Sequence, residues 1–393
     1  MGINEEKQNL RKQEYPYCAR DALCRIEVLC CRPGKQVELQ MELIAEFVFG
    51  EMEKIKESER KKESDKKKEG EKMKDIDKKK EMDKKKKRNM TVELKKLHLI
   101  EIMSDFFQSP GSSPAVRNAL FLSLFPADSS RHKILGNLVS MAITTQNKAV
   151  LNAAGIWMQQ LGSTSLQSVG LARHLLSDYF VLTPKSIDKL KQLPTLAPHF
   201  TANLLTAIGE VYEDKDPPIE LLRLISEWIE ENPSLLLTPL MDNPPLPIGG
   251  IPMTPITPIA GLFRWCILSP LRYDNAENAA NREELRVFYS KVQQLLMDSV
   301  LRLTNNGSNK HAISAQHLAS TTRLLTANLQ NRSNIDTSLR DLAMERLAQA
   351  VSTAMSANCI YGNKQELLAL LQPLSYQHFL IEWTLQTCST KAA

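Results

Sequence analysis

The stretch Pro217–Leu271 reads PPIELLRLISEWIEENPSLLLTPLMDNPPLPIGGIPMTPITPIAGLFRWCILSPL, and it decides the fold class. Two apolar, helix-like segments flank a middle part that has seven prolines within twenty residues. Proline lacks a backbone N–H and fixes φ, so this middle part can be neither the interior of a helix nor a central strand. Because it is also rich in Leu, Ile and Met, we predict a proline-rich ordered strap, residues 239–260, that packs across helices.

The segment before the prolines has the 3.6-residue period of an amphipathic helix. Its apolar positions form one stripe, and charged side chains occupy the opposite face. Asp216 is predicted to cap the start, Pro217 to take the first helical position, and Asn232-Pro233 to end the helix. The predicted stripe consists of Leu221, Leu222, Ile225, Trp228 and Ile229.

The same period recurs along most of the chain, for example in Val92–Gln108 and Leu339–Met355, and Ser113-Pro114 and Thr183-Pro184 repeat the start pattern. No segment alternates as a strand does. Each amphipathic helix needs neighbours to bury its stripe, and short connections make those neighbours sequential. We therefore predict an all-α fold, an irregular HEAT-like helical solenoid without a strict repeat motif.

Residues 51–90 differ from the rest because 30 of the 40 are charged. They hold 18 of the 50 Lys and Arg and 12 of the 45 Asp and Glu, which leaves 32 and 33 elsewhere, a net charge of −1. Such a segment cannot bury enough apolar surface to offset chain entropy, so we predict one charged disordered loop. A solvated single helix held by Glu–Lys pairs is the alternative. The near-neutral remainder does not indicate a general nucleic-acid-binding surface.

These changes in composition predict five regions. N-terminal helices of the array occupy 1–50, and the Lys/Glu-rich insertion occupies 51–90. A helical repeat array spans 91–238, the strap spans 239–260, and a C-terminal helical array spans 261–393.

The cysteines and the absence of long apolar runs indicate the cellular compartment in which the protein works. Seven cysteines, an odd number without C-x-x-C pairs, argue against a disulfide framework and indicate a reducing environment. The first residues, MGINEEKQNLRKQ, contain no apolar signal region. No apolar run approaches the ~20 residues that cross a bilayer. We expect a soluble intracellular protein with no membrane contact.

Catalytic motifs are missing from the sequence. It has no phosphate-cradling loop, no dinucleotide-binding glycine pattern, no H-E-x-x-H and no G-x-S-x-G. The cluster Cys18, Cys24, Cys30 and Cys31 lacks the spacing of zinc ligands. We predict no enzyme activity and no catalytic, metal-binding or cofactor-binding residue.

Lys84, Lys85, Lys86, Lys87 and Arg88 form a run that an import receptor can read. A solvated charged spacer is the alternative interpretation. The basic segment 54–88 also suggests an alternative function, an RNA- or DNA-binding adaptor. The interspersed acids and the lack of aromatic residues in 54–90 argue against direct nucleic-acid contact.

The four tryptophans, Trp157, Trp228, Trp265 and Trp383, lie in helical patterns and are predicted to pack in the core, with partner anchoring as the alternative. Arg264 lies in an otherwise apolar helix, where it either pairs with an internal carboxylate or projects towards a partner. The candidate partner contacts are Arg264, Trp265, Asp178 and Tyr179.

Short sequence motifs between residues 20 and 350 occur in an order that resembles the Integrator complex subunit 15 family. They include Leu99–Phe107 (LIEIMSDFF), Pro184–Gln192 (PKSIDKLKQ), Pro217–Ile229 (PPIELLRLISEWI) and Arg346–Ala350 (RLAQA), and the sharpest are Leu246–Gly249 (LPIG) and Gly261–Leu271 (GLFRWCILSPL).

The resemblance implies a non-catalytic, helical subunit of Integrator, a nuclear assembly that engages RNA polymerase II. The assembly cleaves nascent RNA, including small nuclear RNA 3′ ends, and terminates paused transcription, and its endonuclease and phosphatase lie in other subunits. For this chain the resemblance implies a nuclear location and a connector role between the module of subunits 10, 13 and 14 and the core of the complex. Contact with RNA polymerase II is then indirect, and direct nucleic-acid contact is not expected.

The chain departs from the family in two places. Residues 51–90 resemble an expansion of a shorter, less charged loop, and the relatives continue into a Pro- and His-rich tail where this chain stops at Ala393. A scaffold of this kind is expected to expose an apolar patch of several hundred Å² on one flank.

Overall fold

The computed structural model is all-α where it describes the chain. It describes residues 3–25, 41–50, 93–109, 111, 113–127, 131–213, 215–241, 244–246, 250–252, 256–275, 279–302, 311–331 and 335–390. Within these ranges the strands are confined to two pieces of two residues each. The predicted all-α class is confirmed. The HEAT-like arrangement of repeats stays a prediction, and the predicted charged loop, 51–90, lies outside the described residues.

The chain divides into two compact units. The first comprises residues 1–157 with 245–250, and the second comprises 158–244 with 251–393.

The first unit is a set of short helices. Residues 41–50 and 93–108 are helical. The other helices are α1 (Ile3–Arg11), α2 (Tyr17–Cys24), α3 (Pro114–Leu124) and α4 (His132–Thr145), and α5 (Lys148–Leu161) begins in this unit and ends in the second. Ser113 caps α3 as its Ser-Pro pair predicts, because its hydroxyl accepts a hydrogen bond from the backbone N–H of Val116.

Aromatic rings form the core of the first unit. Phe121 contacts Phe107 and Phe125 with ring centroids 5.5 and 5.1 Å apart, and Phe49 meets Phe125 edge to face at 5.8 Å. Trp157 is fully buried, and its indole N–H donates to the carbonyl of Phe125 at 2.7 Å. The indole therefore supplies apolar area without leaving a buried donor unpaired.

One contact fixes part of the proline segment in this unit. The side-chain amide of Asn118 in α3 donates to the carbonyl of Pro245 at 2.7 Å. Residues 242–243, 247–249 and 253–255 of the segment lie outside the described residues.

The second unit contains nine helices of ten or more residues that lie wholly within it, among the residues described. They are α6 (Leu166–Leu176), α7 (Pro198–Val211), α8 (Ile219–Glu231), α9 (Ile259–Leu268), α10 (Ala279–Arg302), α11 (Ala315–Asn331), α12 (Thr337–Ser356), α13 (Lys364–Ser375) and α14 (Phe379–Thr390). A π-helical turn, Ser177–Leu182, follows α6, and a 3-10 turn, Ser269–Asn275, follows α9.

Helix α9 lies at the centre of the second unit. It packs against α7, α10, α11 and α12, and eight of its ten residues are buried. A helix that is apolar on all sides is stable in this setting because neighbours cover every face. Not all neighbours are sequential, since α8 packs on α10, α11 on α13, and α12 on α14.

The apolar stripe predicted for α8 is confirmed, since all five of its residues are buried. Trp228 also donates its indole N–H to the carbonyl of Leu190 at 3.0 Å. The predicted cap is wrong. The helix begins at Ile219 with Pro218 as N-cap and no side-chain cap, and Asp216 accepts a hydrogen bond from Tyr289 instead.

A two-residue parallel pairing was not expected from the sequence. Ile313–Ser314 (β1) pairs with Ile360–Tyr361 (β2), with Ile313 opposite Ile360. Nearby, the hydroxyl of Thr257 in the proline segment donates to the carbonyl of Ala312 at 2.5 Å. These bonds attach the end of the proline segment, just before α9, to the start of α11.

Candidate functional site

The residues predicted as partner contacts include Arg264 and Trp265, which lie at the crossing of α7 and α9. Gly209 in α7 and Gly261 in α9 meet there. A Cβ added at Gly261 would lie 3.6 Å from the Cα of Gly209, and one added at Gly209 would lie 3.5 Å from the Cα of Gly261. The two backbones approach this closely because neither position carries a side chain.

The close crossing places a carbonyl of α7 beside polar groups of α9. The Trp265 indole N–H donates to the carbonyl of Gly209 at 3.0 Å, and Trp265 is 1% exposed. Arg264 donates to the same carbonyl at 3.1 Å and pairs with Glu210 and Glu213 at 3.1 Å each. Of the two alternatives for Arg264, the structure therefore has the internal carboxylate pair.

The polar contacts continue into the turn that follows α9. Arg272 donates to the carbonyl of Glu213 and lies 3.8 Å from the carboxylate of Asp216, which also accepts from the Tyr289 hydroxyl at 2.8 Å. Burial raises the pKa of Asp216 above its ordinary value, while the hydrogen bond from Tyr289 and the charge of Arg272 oppose that shift. Burial, with the adjacent Asp216 carboxylate, raises the pKa of Tyr289 well above 10.0. The turn is thus held by a buried polar network.

Arg346 in α12 is a second buried cation, 3% exposed. Its guanidinium donates to the carbonyl of Cys266 at 2.7 Å, to the hydroxyl of Ser269 at 2.8 Å and to the hydroxyl of Ser290 at 2.9 Å. The Cys266 carbonyl lies at the C-terminal end of α9, where the helix dipole favours a positive charge. Arg346 therefore caps α9 and connects it to α10 and α12.

The other predicted contacts, Asp178 and Tyr179, lie in the π-helical turn after α6. Tyr179 is buried, and Asp178 is half-buried with a carboxylate oxygen 3.5 Å from the ring of His174. Two apolar side chains of the same turn, Val181 and Leu182, are exposed. Contact of Asp178, Tyr179, Arg264 or Trp265 with a partner stays a prediction.

The candidate import run, Lys84 to Arg88, lies outside the described residues.

The described part of the chain holds no cluster of three or more His, Cys, Asp and Glu side chains with the geometry of a metal site. Burial raises the pKa of the Cys266 thiol to about 12 and that of Cys359 to about 11, so both stay protonated and weakly nucleophilic. Among the helices described here, none is long and apolar enough to span a bilayer.

Three aromatic residues are exposed together at the junction of α13 and α14, and we call them the C-terminal aromatic surface. Tyr376 is 86% exposed, Phe379 73% and Trp383 49%. The core position predicted for Trp383 is therefore wrong, although Trp157, Trp228 and Trp265 are buried as predicted. Ile381, Leu385 and Cys388 form the buried stripe of α14, and Trp383 points away from that stripe.

Comparisons with known proteins give a consistent result. The family described as Integrator complex subunit 15 matches residues 4–376. The Drosophila melanogaster protein named Integrator complex subunit 15 is 34% identical over 396 aligned residues, which cover 95% of this chain and 95% of that protein. The Mus musculus and Homo sapiens proteins of the same name are 32% and 31% identical, and each alignment covers 73% of this chain and 70% and 71% of the relative.

Proposed function

This chain belongs to the Integrator complex subunit 15 family, and we propose that it acts as a non-catalytic scaffold subunit of the Integrator complex. The observation that carries the proposal is the likeness over 95% of both chains to a protein named as a subunit of that complex.

The architecture supports a scaffold. Polar groups of the second unit are used between helices: Arg264 pairs with α7, Trp265 donates to α7, and Arg346 caps α9. Large apolar side chains are also exposed, among them Tyr376, Phe379 and Trp383. Such a molecule contributes binding surface to an assembly, and bond-making chemistry belongs to other subunits.

Within that function we infer a more specific role from the resemblance. The chain connects the module of subunits 10, 13 and 14 to the core of the complex, in RNA polymerase II termination and small nuclear RNA 3′-end processing. It works in the nucleus, contacts RNA polymerase II only through other subunits, and needs no cofactor.

Affinity purification tests the proposal. The tagged full chain is expressed in cells and recovered from nuclear extract, and Integrator subunits are quantified by mass spectrometry. The proposal expects the subunits of the complex at levels comparable with the bait. Recovery of the bait without them would overturn the family-based function.

Two roles remain proposals for the segment 54–88, and one variant distinguishes them. Replacing Lys84, Lys85, Lys86 and Lys87 with Gln removes the basic run without inserting negative charge. An import role predicts that a smaller fraction of the variant protein is nuclear. Fusion of a foreign import sequence to the variant then restores the activity of the complex. The alternative function, an RNA- or DNA-binding adaptor, predicts that the complex stays inactive even when the variant is brought into the nucleus. The variant is then still expected to assemble with the other subunits.

A further inference from the structure

The C-terminal aromatic surface has the composition of an interaction site. Tyr and Trp are the residue types most enriched in the energetically dominant centres of protein interfaces, and interface centres are depleted of charge. From Leu367 to Thr390 the sequence has one charged residue, Glu382. At roughly 200 Å² per aromatic side chain, the three exposed rings present about 400 Å² of mostly apolar surface.

The spacing of the three residues suits insertion into a groove. Phe379 and Trp383 are four residues apart on α14 and lie on one face, and Tyr376 precedes Phe379 by three residues in the turn before the helix. Phe379 and Trp383 have the i, i+4 spacing of anchors by which a helix lays its apolar side into a hydrophobic groove, and Tyr376 adds a third ring from the preceding turn. The three side chains project from their backbone, so the complementary surface is concave.

Glu382 limits the charge of the partner. It is exposed between Phe379 and Trp383 in sequence, and its carboxylate accepts a hydrogen bond from the side-chain amide of Gln386 at 3.2 Å. When a groove on the partner binds the two rings, the edge of that groove comes close to the Glu382 carboxylate. A Lys or Arg at that edge is attracted to the carboxylate, whereas an Asp or Glu there is repelled.

A second copy of this chain does not fit the same surface. Two copies would oppose projecting rings to projecting rings and place two Glu382 carboxylates near each other.

Nucleic acid fits less well than protein. Exposed aromatic rings can stack on bases, but single-strand binding also needs cations that follow the phosphates. The segment from Leu367 to Thr390 has no Lys or Arg. The lysine-rich segment 51–90 is also a poor occupant because three quarters of its residues are charged.

We propose that the C-terminal aromatic surface is an anchor by which this chain inserts Tyr376, Phe379 and Trp383 into an apolar groove, with a basic rim, on another Integrator subunit. The inference rests on the proposed function, since it takes the partner from the same complex. Phe379 and Trp383 lie beyond the residues that the family matches, so the inference rests on the structure of this chain and not on the likeness.

Photo-crosslinking tests the occupant directly. The exchange Phe379→benzoylphenylalanine keeps an aromatic side chain, and the full chain is irradiated within the purified complex. The expected product joins position 379 to an apolar stretch of one Integrator subunit near a Lys or Arg. A crosslink to a second copy of this chain, to this chain itself or to RNA, or no crosslink, would overturn the inference.

A matched pair of variants tests the energetic contribution. One combines Tyr376→Ser, Phe379→Ser and Trp383→Ser, and the control combines Leu94→Ser, Leu97→Ser and Val287→Ser, which removes exposed apolar groups elsewhere. The aromatic variant is expected to recover Integrator subunits at least about tenfold less than wild type, and the control is expected to match wild type.

The outcomes separate the inference from the proposed function. If wild type recovers no Integrator subunits, the proposed function fails. If wild type and the aromatic variant recover them equally, only the inference fails. If the aromatic variant melts well below wild type, the crosslinking result alone decides, because benzoylphenylalanine retains an aromatic ring at the exposed position.

Discussion

At the scale of single residues, Arg346 is the side chain on which the second unit depends most. It is buried, and its three acceptors come from α9, from the turn after α9 and from α10. Removing it takes a charged donor away from the buried Cys266 carbonyl and Ser269 hydroxyl, and weaker pairing of buried polar groups is costly. Helices α7, α10, α11 and α12 pack against α9, so the loss acts on the centre of the unit.

We expect Arg346→Ala to lower the free energy of unfolding by about 3 kcal/mol, because it removes charge-assisted hydrogen bonds from a buried guanidinium to two buried acceptors, at Cys266 and Ser269, and to the exposed Ser290 hydroxyl. Arg346→Lys is expected to restore little, since a single ammonium cannot span three acceptors. The control is Arg323→Ala, whose partner Glu366 is exposed, with an expected cost below about 1 kcal/mol. Urea denaturation measures all three, and equal costs for Arg346→Ala and Arg323→Ala would contradict the role of Arg346.

Asp216 makes stability depend on pH in a defined direction. Burial raises its pKa above the ordinary 3.8, and a group with a raised pKa in the folded state favours folding while it is protonated. That contribution is present below pH 3.8 and is lost as pH rises through the raised pKa. Asp216→Asn keeps an acceptor for the Tyr289 hydroxyl but cannot ionise.

Wild type is therefore expected to lose stability relative to Asp216→Asn as pH rises from 3.8 towards neutrality. Urea denaturation of both proteins across that pH range measures the difference between their free energies of unfolding. Titrations that the two proteins share cancel in this difference. A difference that stays constant, or that moves in favour of wild type with rising pH, would show that burial does not dominate at this carboxyl.

At the scale of helices, the crossing of α7 and α9 depends on two glycines. Either one alone has room for a methyl group, because an added Cβ would lie at an ordinary contact distance of 3.5 or 3.6 Å. Both methyl groups together would compete for the same space. A larger side chain at Gly261 would push the helices apart and break the bond from Trp265 to Gly209.

We expect Gly209→Ala and Gly261→Ala each to change the free energy of unfolding by less than about 1 kcal/mol, since helix propensity offsets any crowding. The double variant is expected to be less stable than the sum of the two single-variant effects predicts, by about 1 kcal/mol or more. Gly261→Leu is expected to cost about 2–3 kcal/mol. Gly170→Ala in α6, where a Cβ meets nothing within 4 Å, is the control. Additive effects in the thermodynamic cycle would contradict the close crossing.

The stripe of α8 shows what the sequence was sufficient to predict. A strong 3.6-residue period with breakers at the end identified the helix and the five residues that it buries. The N-terminal cap of the helix could not be predicted from this local pattern, because Asp216 is hydrogen-bonded to Tyr289, which lies 73 residues further along the chain. Hydrogen bonds between distant segments leave no local pattern.

Trp383 shows a prediction that a closer reading of the period would have corrected. Ile381, Leu385 and Cys388 recur at the spacing of one helical face, and Trp383 falls two residues out of phase with them. A place in a helical pattern alone predicts a core position for the tryptophan, although only its phase within the pattern reports which face it occupies. By contrast, β1 and β2 are two residues long and show no alternation, so their pairing was not predictable.

At the scale of the whole molecule, each unit uses its buried polar groups to join its own segments. Trp157, Trp228 and Trp265 each donate an indole N–H to a main-chain carbonyl 32, 38 and 56 residues away. Such bonds fix helices against one another and orient exposed side chains, as a scaffold requires. The C-terminal aromatic surface is then a fixed feature of a packed helix pair, and its binding needs little ordering of the chain.

We propose that this chain connects the module of subunits 10, 13 and 14 to the core of Integrator. The direct measurement is to deplete the protein from cells, purify the complex through tagged subunit 10, and quantify the other subunits by mass spectrometry. We predict that subunits 13 and 14 stay with subunit 10, that the core subunits fall to background, and that re-expression of the full chain restores them. Undiminished recovery of the core subunits after depletion would contradict the account.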